Sequence, residues 1–381
     1  MVEAASFVEQ NGRIRSIDVL RGVALVFMVI NHFGQTFVGG GYHSPVAAAI
    51  LFFGIIPAPL FYIVAGIGVV LTNHQLRKKE ATTQTIWQRV FIRGVLIMGS
   101  GYLFAITFFG PVWWLDWSIL QLIGFSLIIC QIALLIPWRY RLILPIILIA
   151  LMPIVQDWLN YDVVVGTVGN IQYAPPSTLF DHLSAIIATG KAPIFPWLAC
   201  PIIGTIIGEF FVERPYNPRR IVYSSLLVGG SMCLLVLPLL VLISDPVTQY
   251  PLTSGFLFLS TGMALLAVAS IVTTVDVWGW WNPASRFIEV NGQIALISYI
   301  AHHFYGITLI GVIFGFYRAL EVIGLTVIII SYFVLVLMFA YFWLPFRKSR
   351  SAYWDIAVTY LILFLALFGR WILAVVGFWT F

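Results

Sequence analysis

Long apolar stretches separated by short polar connections follow one another along the whole chain. Each stretch approaches the roughly 20 residues with which an α-helix crosses a bilayer. Apolar residues occupy all sides of these stretches, unlike the alternating strands of an outer-membrane barrel. The pattern predicts eleven membrane-spanning helices, at residues 16–36, 46–72, 90–109, 118–137, 142–157, 194–212, 221–244, 255–275, 290–314, 323–346 and 355–378.

The composition supports the same fold class. Hydrophobic residues make up 61% of the chain, charged residues make up 9%, and the mean hydropathy is +1.00. Soluble domains carry about 25% charged residues, so that class is excluded. We expect an all-α polytopic membrane protein, a bundle of about eleven transmembrane helices that forms a single domain over residues 1–381. The expected location is the cell membrane of a prokaryote.

The basic residues predict the topology. Lys and Arg are retained on the cytoplasmic side of short loops. Fifteen of the 20 lie on alternate connections, beginning with Arg13 and Arg15 and ending with Arg347, Lys348 and Arg350. The N-terminus is therefore expected in the cytoplasm. This bias, together with anionic membrane lipids as partners, accounts for the net charge of +5, so no nucleic acid partner is expected.

Ionisable residues occur inside the first predicted span, in "SIDVLRGVALVFMVINHF". Arg21 and His32 are eleven residues apart, which places them on one helix face about 16 Å apart along the axis. Asp18 lies three residues before Arg21, where it can neutralise the guanidinium near the cytoplasmic surface. Charged residues are costly inside a membrane and usually have a partner or a function.

The ninth predicted span, "NGQIALISYIAHHF", repeats this arrangement. Asn291, Ser298 and His302 are spaced to form one polar stripe along a straight helix. Since both helices begin inside, His32 and His302 are expected at similar depths. Two such imidazoles suit proton transfer, because histidine titrates near neutral pH. His43, in a glycine-rich outer loop, is a third candidate.

Other interpretations of these histidines remain open. An intramembrane histidine can simply hydrogen-bond across helices, and this applies to His303 and, less strongly, to His32. His32, His43 and His302 are also an alternative set of metal ligands. No carboxylate or cysteine joins them at ligand spacing, so no metal is expected.

A candidate anion site is predicted on the cytoplasmic side. In "WQRVFIRG", Arg89 and Arg93 lie four residues apart on one helix face, and Arg21 is expected at a comparable depth. Guanidinium groups suit phosphate oxygens because their planar donors bind two oxygens at once. Anchoring to lipid headgroups is the alternative role.

Several segments resemble the membrane acetyltransferase superfamily that includes heparan-alpha-glucosaminide N-acetyltransferase and, more distantly, the type-3 membrane acyltransferases. The Arg21-to-His32 spacing is similar to that of the type-3 enzymes, and His43 stands where the heparan enzymes carry a catalytic histidine. The segments "PLFYIVAG", "WSILQLIG", "FPWLACPIIGTIIGE" and "NGQIALISYIAHH" follow in the same order. The resemblance covers most of the chain.

The resemblance implies acyl transfer from cytoplasmic acyl-CoA, with acetyl-CoA the expected co-substrate, to an amine or hydroxyl of an extracytoplasmic saccharide. Arg21, Arg89, Arg93 and Asn291 would bind the donor, while His32, His43 and His302 would act in catalysis. A proton-coupled transporter or flippase is the competing interpretation, since polar stripes also line translocation paths. An inactive relative that serves as a scaffold is a third. Assembly into a homo-oligomer is left open.

Overall fold

A computed structural model describes residues 14–38, 45–159, 178–242, 247, 252–316, 318–348 and 353–375. Sixteen α-helices occur in these ranges: α1 Arg15–Phe37, α2 Pro45–Gly54, α3 Pro57–Lys78, α4 Thr83–Phe109, α5 Ile119–Ala133, α6 Trp138–Arg141, α7 Ile143–Trp158, α8 Leu179–Ser184, α9 Ile194–Trp197, α10 Ala199–Val212, α11 Pro218–Leu242, α12 Ser254–Val272, α13 Pro283–Gln293, α14 Ala295–His303, α15 Val322–Lys348 and α16 Tyr353–Val375. A π-helix, Phe304–Ile313, continues α14.

Within the described ranges, nine helical segments are long and apolar enough to cross a membrane. A tenth span is formed if the bent pair Pro283–Gln293 and Ala295–Gly311 counts as one, whereas the apolar helix α5 is shorter than a span. The described residues give nine or ten candidate spans against the eleven predicted. The all-helical fold class is thus confirmed, and each of the eleven predicted segments has a helical counterpart. Helices suit a bilayer because every backbone group is satisfied within the segment. The cytoplasmic N-terminus stays a prediction.

The ninth predicted span departs from the expected straight helix. Ile294 has φ −114° and ψ 24°, and the helices on either side of it are bent by 83°. The prediction of one continuous polar stripe is therefore wrong, because Asn291 lies on α13 whereas Ser298 and His302 lie on α14. The periodicity argument assumed a straight axis, and no apolar pattern marks the bend.

The chain divides into two compact units. The larger unit contains Ala58–Tyr102 and Val112–Gly279, and the smaller contains Ala5–Pro57, Leu103–Pro111 and Trp280–Phe381. Each unit is assembled from separated stretches of sequence. The single domain over residues 1–381 stays a prediction.

Buried polar pairs join the helices of the larger unit. Asn73 Nδ2 on α3 donates to Gln131 Oε1 on α5 at 2.7 Å, and Gln131 Nε2 donates back to Asn73 Oδ1 at 3.2 Å. Arg141, which is buried, forms an ion pair with Glu209 on α10. Such contacts satisfy polar groups that would otherwise face an apolar interior.

Tyr216 links two parts of the same unit in the connection between α10 and α11. Its hydroxyl donates to Asp276 Oδ2 at 2.7 Å. Burial and the neighbouring Asp276 carboxylate together raise the pKa of the Tyr216 phenol far above its usual value. The phenol therefore stays protonated and keeps its hydrogen bond at alkaline pH.

The smaller unit is organised by a close crossing of α1 and α13. A Cβ atom on Gly292 would lie 1.7 Å from the carbonyl oxygen of Asp18, and one on Gly22 would lie 1.9 Å from that of Ile288. Glycine is needed at both positions because the backbones approach so closely. Beyond this crossing, buried aromatic and aliphatic side chains of α1 and α15, together with Ile50 of α2 and Ile294, form the core of the unit.

Candidate active site

Two predicted histidines meet inside the smaller unit. Nδ1 of His32, on α1, lies 2.9 Å from Nε2 of His302, on α14. The two residues are separated by 270 positions in the sequence. His302 is 1% exposed, whereas His32 is half-buried. The contact is a hydrogen bond in which one ring donates and the other accepts, as a proton-transfer pair requires.

A third imidazole joins this pair. The ring centroid of His303 lies 4.0 Å from that of His302 and 5.3 Å from that of His32. One ring nitrogen from each of the three residues lies within 4.8 Å of the others. Sequence reasoning treated His303 as a residue for hydrogen bonding between helices. The position of His303 directly after His302 in the sequence was the signal that it belongs to this group. The orientation of its ring, however, depends on the local helix geometry.

Aromatic side chains surround the three histidines. Phe104 packs edge-on against the ring of His303, with centroids 4.7 Å apart, and Phe108 lies 5.8 Å from the same ring. On the other side, Phe33 lies 6.2 Å from His302. Apolar rings make no hydrogen bonds to imidazole nitrogens, so the histidines meet one another in a largely dry environment.

Hydroxyl contacts fix the position of α14. The Tyr332 hydroxyl on α15 donates to the backbone oxygen of Ser298 at 2.7 Å and lies 2.7 Å from the Ser298 hydroxyl, which can donate to it. One turn later, His302 follows Ser298 on the same helix. Farther along, Tyr305 and Ser331 hydroxyls lie 2.6 Å apart. These contacts hold the helix that carries His302 against α15.

Polar contacts also position His32. Asn31 Nδ2 donates to the backbone oxygen of Ile50 on α2 at 3.0 Å, and Gln35 Nε2 donates to Asn31 Oδ1 at 2.9 Å. The Thr36 hydroxyl donates to the His32 carbonyl at 2.7 Å. Sequence reasoning did not assign Asn31 a role, although an amide inside an apolar helix was a usable signal.

The predicted donor-binding residues of the smaller unit lie at the other end of α1. Arg21 Nη1 bonds Asp18 Oδ1 at 2.7 Å, as the sequence spacing indicated. Asn291 is fully buried, and its Nδ2 donates to the Phe287 backbone oxygen at 2.8 Å. Its Oδ1 has no hydrogen-bond partner among the residues that the structure describes. Eleven residues along α1, about 16 Å, separate Arg21 from His32.

The other two predicted arginines belong to the larger unit. Arg89 and Arg93 are exposed residues of α4, and Phe91 and Ile92 between them are exposed as well. Arg21 belongs to the smaller unit, so the three-arginine anion site stays a prediction. His43 lies outside the described residues, and its catalytic role likewise stays a prediction.

Two family models match parts of the chain. The model of the family described as heparan-alpha-glucosaminide N-acetyltransferase, catalytic, matches residues 13–237, more than half of the chain. A family described as a protein of unknown function (DUF418) matches residues 209–349. No curated protein matches. The first match supports a transmembrane acetyltransferase-like role for an integral membrane protein.

Proposed function

The chain belongs to the heparan-alpha-glucosaminide N-acetyltransferase catalytic family, and from this premise we propose that it transfers an acyl group across the membrane. The donor is cytoplasmic acyl-CoA, with acetyl-CoA the expected form. The acceptor is an amine or hydroxyl of an extracytoplasmic saccharide. The observation that carries the proposal is the contact of 2.9 Å between His32 and His302 inside an apolar bundle.

The two imidazoles differ in accessibility, and this difference suggests their roles. His32 is half-buried and can meet an acceptor, whereas His302 is enclosed. When His32 takes a proton from the acceptor, its Nδ1–H donates to Nε2 of His302 and the imidazolium is stabilised. The acceptor's nitrogen or oxygen, freed of its proton, then attacks the thioester carbonyl. The C–S bond breaks, and the thiolate of coenzyme A receives the proton that His32 had taken.

A covalent route uses the same groups. An imidazole nitrogen of His32 or His43 attacks the thioester, coenzyme A leaves, and the acyl-imidazole then passes its acyl group to the acceptor. Wherever His32 is the base or the nucleophile, His302 is its positioning residue. The two routes differ in whether acylated protein accumulates when the acceptor is withheld, which gives a direct way to separate them.

The arginines supply the donor site in this proposal. Arg89 and Arg93 present two guanidinium groups on one exposed helix face, a spacing suited to the phosphates of coenzyme A. Arg21 contributes less net charge because Asp18 pairs with it at 2.7 Å. Arg21 and Asn291 belong to the smaller unit, and their part in donor binding stays a prediction from the sequence.

The test uses purified protein in proteoliposomes with acetyl-CoA and a panel of amino sugars and neutral sugars, and it measures free thiol and acylated product. We expect His32→Gln to lower kcat by at least about 100-fold, the usual contribution of a general base. His182→Gln is the control, since His182 bonds the Leu115 backbone in the larger unit. Full turnover in His32→Gln and His43→Gln alike would refute the proposal.

The donor site is tested separately. Arg93→Gln should raise KM for acetyl-CoA with little change in kcat, and Arg219→Gln, another exposed arginine, serves as the matched control. Equal KM values for the two variants would remove Arg93 from the donor site. Proton-driven sugar uptake without coenzyme A would instead identify the protein as a carrier.

A further inference from the structure

The convergence of three histidines has a chemical consequence beyond proton transfer. We propose that His32, His302 and His303 together bind one transition-metal dication of the Zn²⁺ class, and that the bound ion blocks acyl transfer. The binding site stands on geometry alone, whereas the blocking effect rests on the proposed function. Sequence spacing did not indicate this site, because His303 was not counted among the candidate ligands.

The donor set selects the kind of metal. All three ligands are imidazole nitrogens, which suit Zn²⁺, Co²⁺, Ni²⁺ and Cu²⁺, whereas Mg²⁺ and Ca²⁺ require oxygen ligands. Within the described part of the chain, no Asp, Glu or Cys joins this group of three. A three-histidine site leaves a fourth position for water or a substrate atom.

The distances fit a tetrahedral ion after small adjustments. Zn–N bonds of about 2.0–2.1 Å place ligand nitrogens roughly 3.4 Å apart. In the structure the His32 and His302 nitrogens lie 2.9 Å apart, and all three lie within 4.8 Å. Changes of about 0.5 Å for the close pair, and of at most about 1.4 Å for the third nitrogen, therefore bring them to the required spacing, within reach of side-chain rotation.

The protonation states also allow coordination. If His302 carries its hydrogen on Nδ1, on the side of the Ser298 and Tyr299 backbone, its Nε2 presents a lone pair. Moving the hydrogen of His32 from Nδ1 to Nε2 then frees the second ligand atom without loss of a proton from the protein. The histidines therefore need not release a proton from the apolar interior before the ion binds.

Contacts beyond the ligand atoms orient the third ring. His303 Nδ1 lies 3.4 Å from the Tyr299 carbonyl, the kind of backbone partner that holds metal-binding histidines and directs the lone pair to Nε2. Phe104 and Phe108 restrict rotation of the same ring. Half-buried His32 gives the ion a point of access.

Occupancy would be inhibitory for a simple reason. With the metal on Nδ1 of His32 and the hydrogen on its Nε2, His32 has no lone pair left to take the acceptor's proton. Nε2 of His302, which stabilises the imidazolium of His32 in the proposed reaction, would also be bound to the metal. The same residues therefore serve either the base or the ion, and metal binding removes the base without any change in the fold.

The experiment is metal titration of the chelator-treated full-length protein in detergent. Co²⁺ reports tetrahedral coordination by its visible absorption, and competition with Zn²⁺ gives the affinity and stoichiometry. We expect one ion per chain, and an affinity lowered by at least about 100-fold in His303→Gln, since even groups outside the ligand set contribute about 10- to 100-fold. His182→Gln should bind as the unchanged protein does. Thermal unfolding checks that each variant is folded. If His303→Gln is not folded, His303→Asn is used in its place.

Absence of a tetrahedral Co²⁺ spectrum, or equal Zn²⁺ affinity in His303→Gln and His182→Gln, would overturn the site. Inhibition is tested by the Zn²⁺ concentration that halves the rate of acyl transfer, measured against each protein's own metal-free rate. This concentration should be higher for His303→Gln than for the unchanged protein. Stoichiometric Zn²⁺ binding with undiminished turnover would overturn inhibition while supporting the site. A metal-free protein without acyl transfer would refute the proposed function and leave the titration result unaffected.

Discussion

Gly292 marks the closest approach of an added Cβ to neighbouring backbone among the glycines that the structure describes, and it lies on the helix that precedes the one carrying His302. In Gly292→Ala the new Cβ atom would begin 1.7 Å from the Asp18 carbonyl oxygen, whereas real Cβ contacts are at least 3.0 Å, so α1 and α13 must separate by about 1.3 Å. If that shift reaches α14 in full, the His32–His302 distance grows from 2.9 Å to about 4.2 Å, beyond hydrogen-bonding range. Misplacement by about 1 Å at a reacting group can lower a rate by about 100-fold.

Stability should fall as well, because overpacking of this kind costs about 1–3 kcal/mol. The assay measures thermal unfolding in detergent and acyl transfer in proteoliposomes for Gly292→Ala beside Gly369→Ala. Gly369 lies on α16 of the same unit, and an added Cβ there meets nothing within 4 Å. Alanine in an open helical position is expected to be neutral or stabilising by about 0.5–1 kcal/mol. Equal unfolding temperatures and equal rates in the two variants would refute the reasoning.

Three further changes probe other contacts. Tyr332→Phe removes the hydrogen bonds to Ser298 and should lower the free energy of unfolding by about 1 kcal/mol. It should also lower kcat with a smaller effect on KM, and an unchanged kcat would contradict a positioning role for Tyr332. Glu209→Gln leaves the buried Arg141 cation without its counter-charge and should cost about 3 kcal/mol, checked by a double-mutant cycle with Arg141→Met. The pKa of Tyr216 is higher in the folded than in the unfolded protein, so its contribution to the free energy of unfolding is full below pH ~10 and is lost as the pH rises further. Above that pH, the free energy of unfolding of Tyr216→Phe should therefore fall less steeply with pH than that of the unchanged protein.

The family resemblance and the imidazole pair were both accessible from sequence. Arg21 and His32 stood out because ionisable residues are rare in an apolar span. Asp18 could be paired with Arg21 because three residues along a helix bring side chains together, and the ion pair at 2.7 Å confirms it. Local spacing is sufficient for such inferences, since helix geometry repeats from one turn to the next.

The contribution of His303 was not accessible in this way. Its ring reaches His302 and His32 through the turn where α14 becomes a π-helix, and Phe104 from a distant stretch fixes its orientation. The bend at Ile294 separates Asn291 from His302 for a similar reason. Gly292, beside the bend, packs against α1, and His303 packs against Phe104 of α4, and no periodicity along the ninth segment encodes either contact.

The sequence by itself determined the membrane-spanning helices, because each one satisfies its backbone hydrogen bonds internally and its hydropathy is a local property. Tertiary structure decided which side chains meet. The distance of 2.9 Å between residues 270 positions apart arises from glycine-mediated helix crossings, a bent span and hydroxyl contacts to α15. These are cooperative contacts between distant segments, and their geometry exists only once the helices have packed.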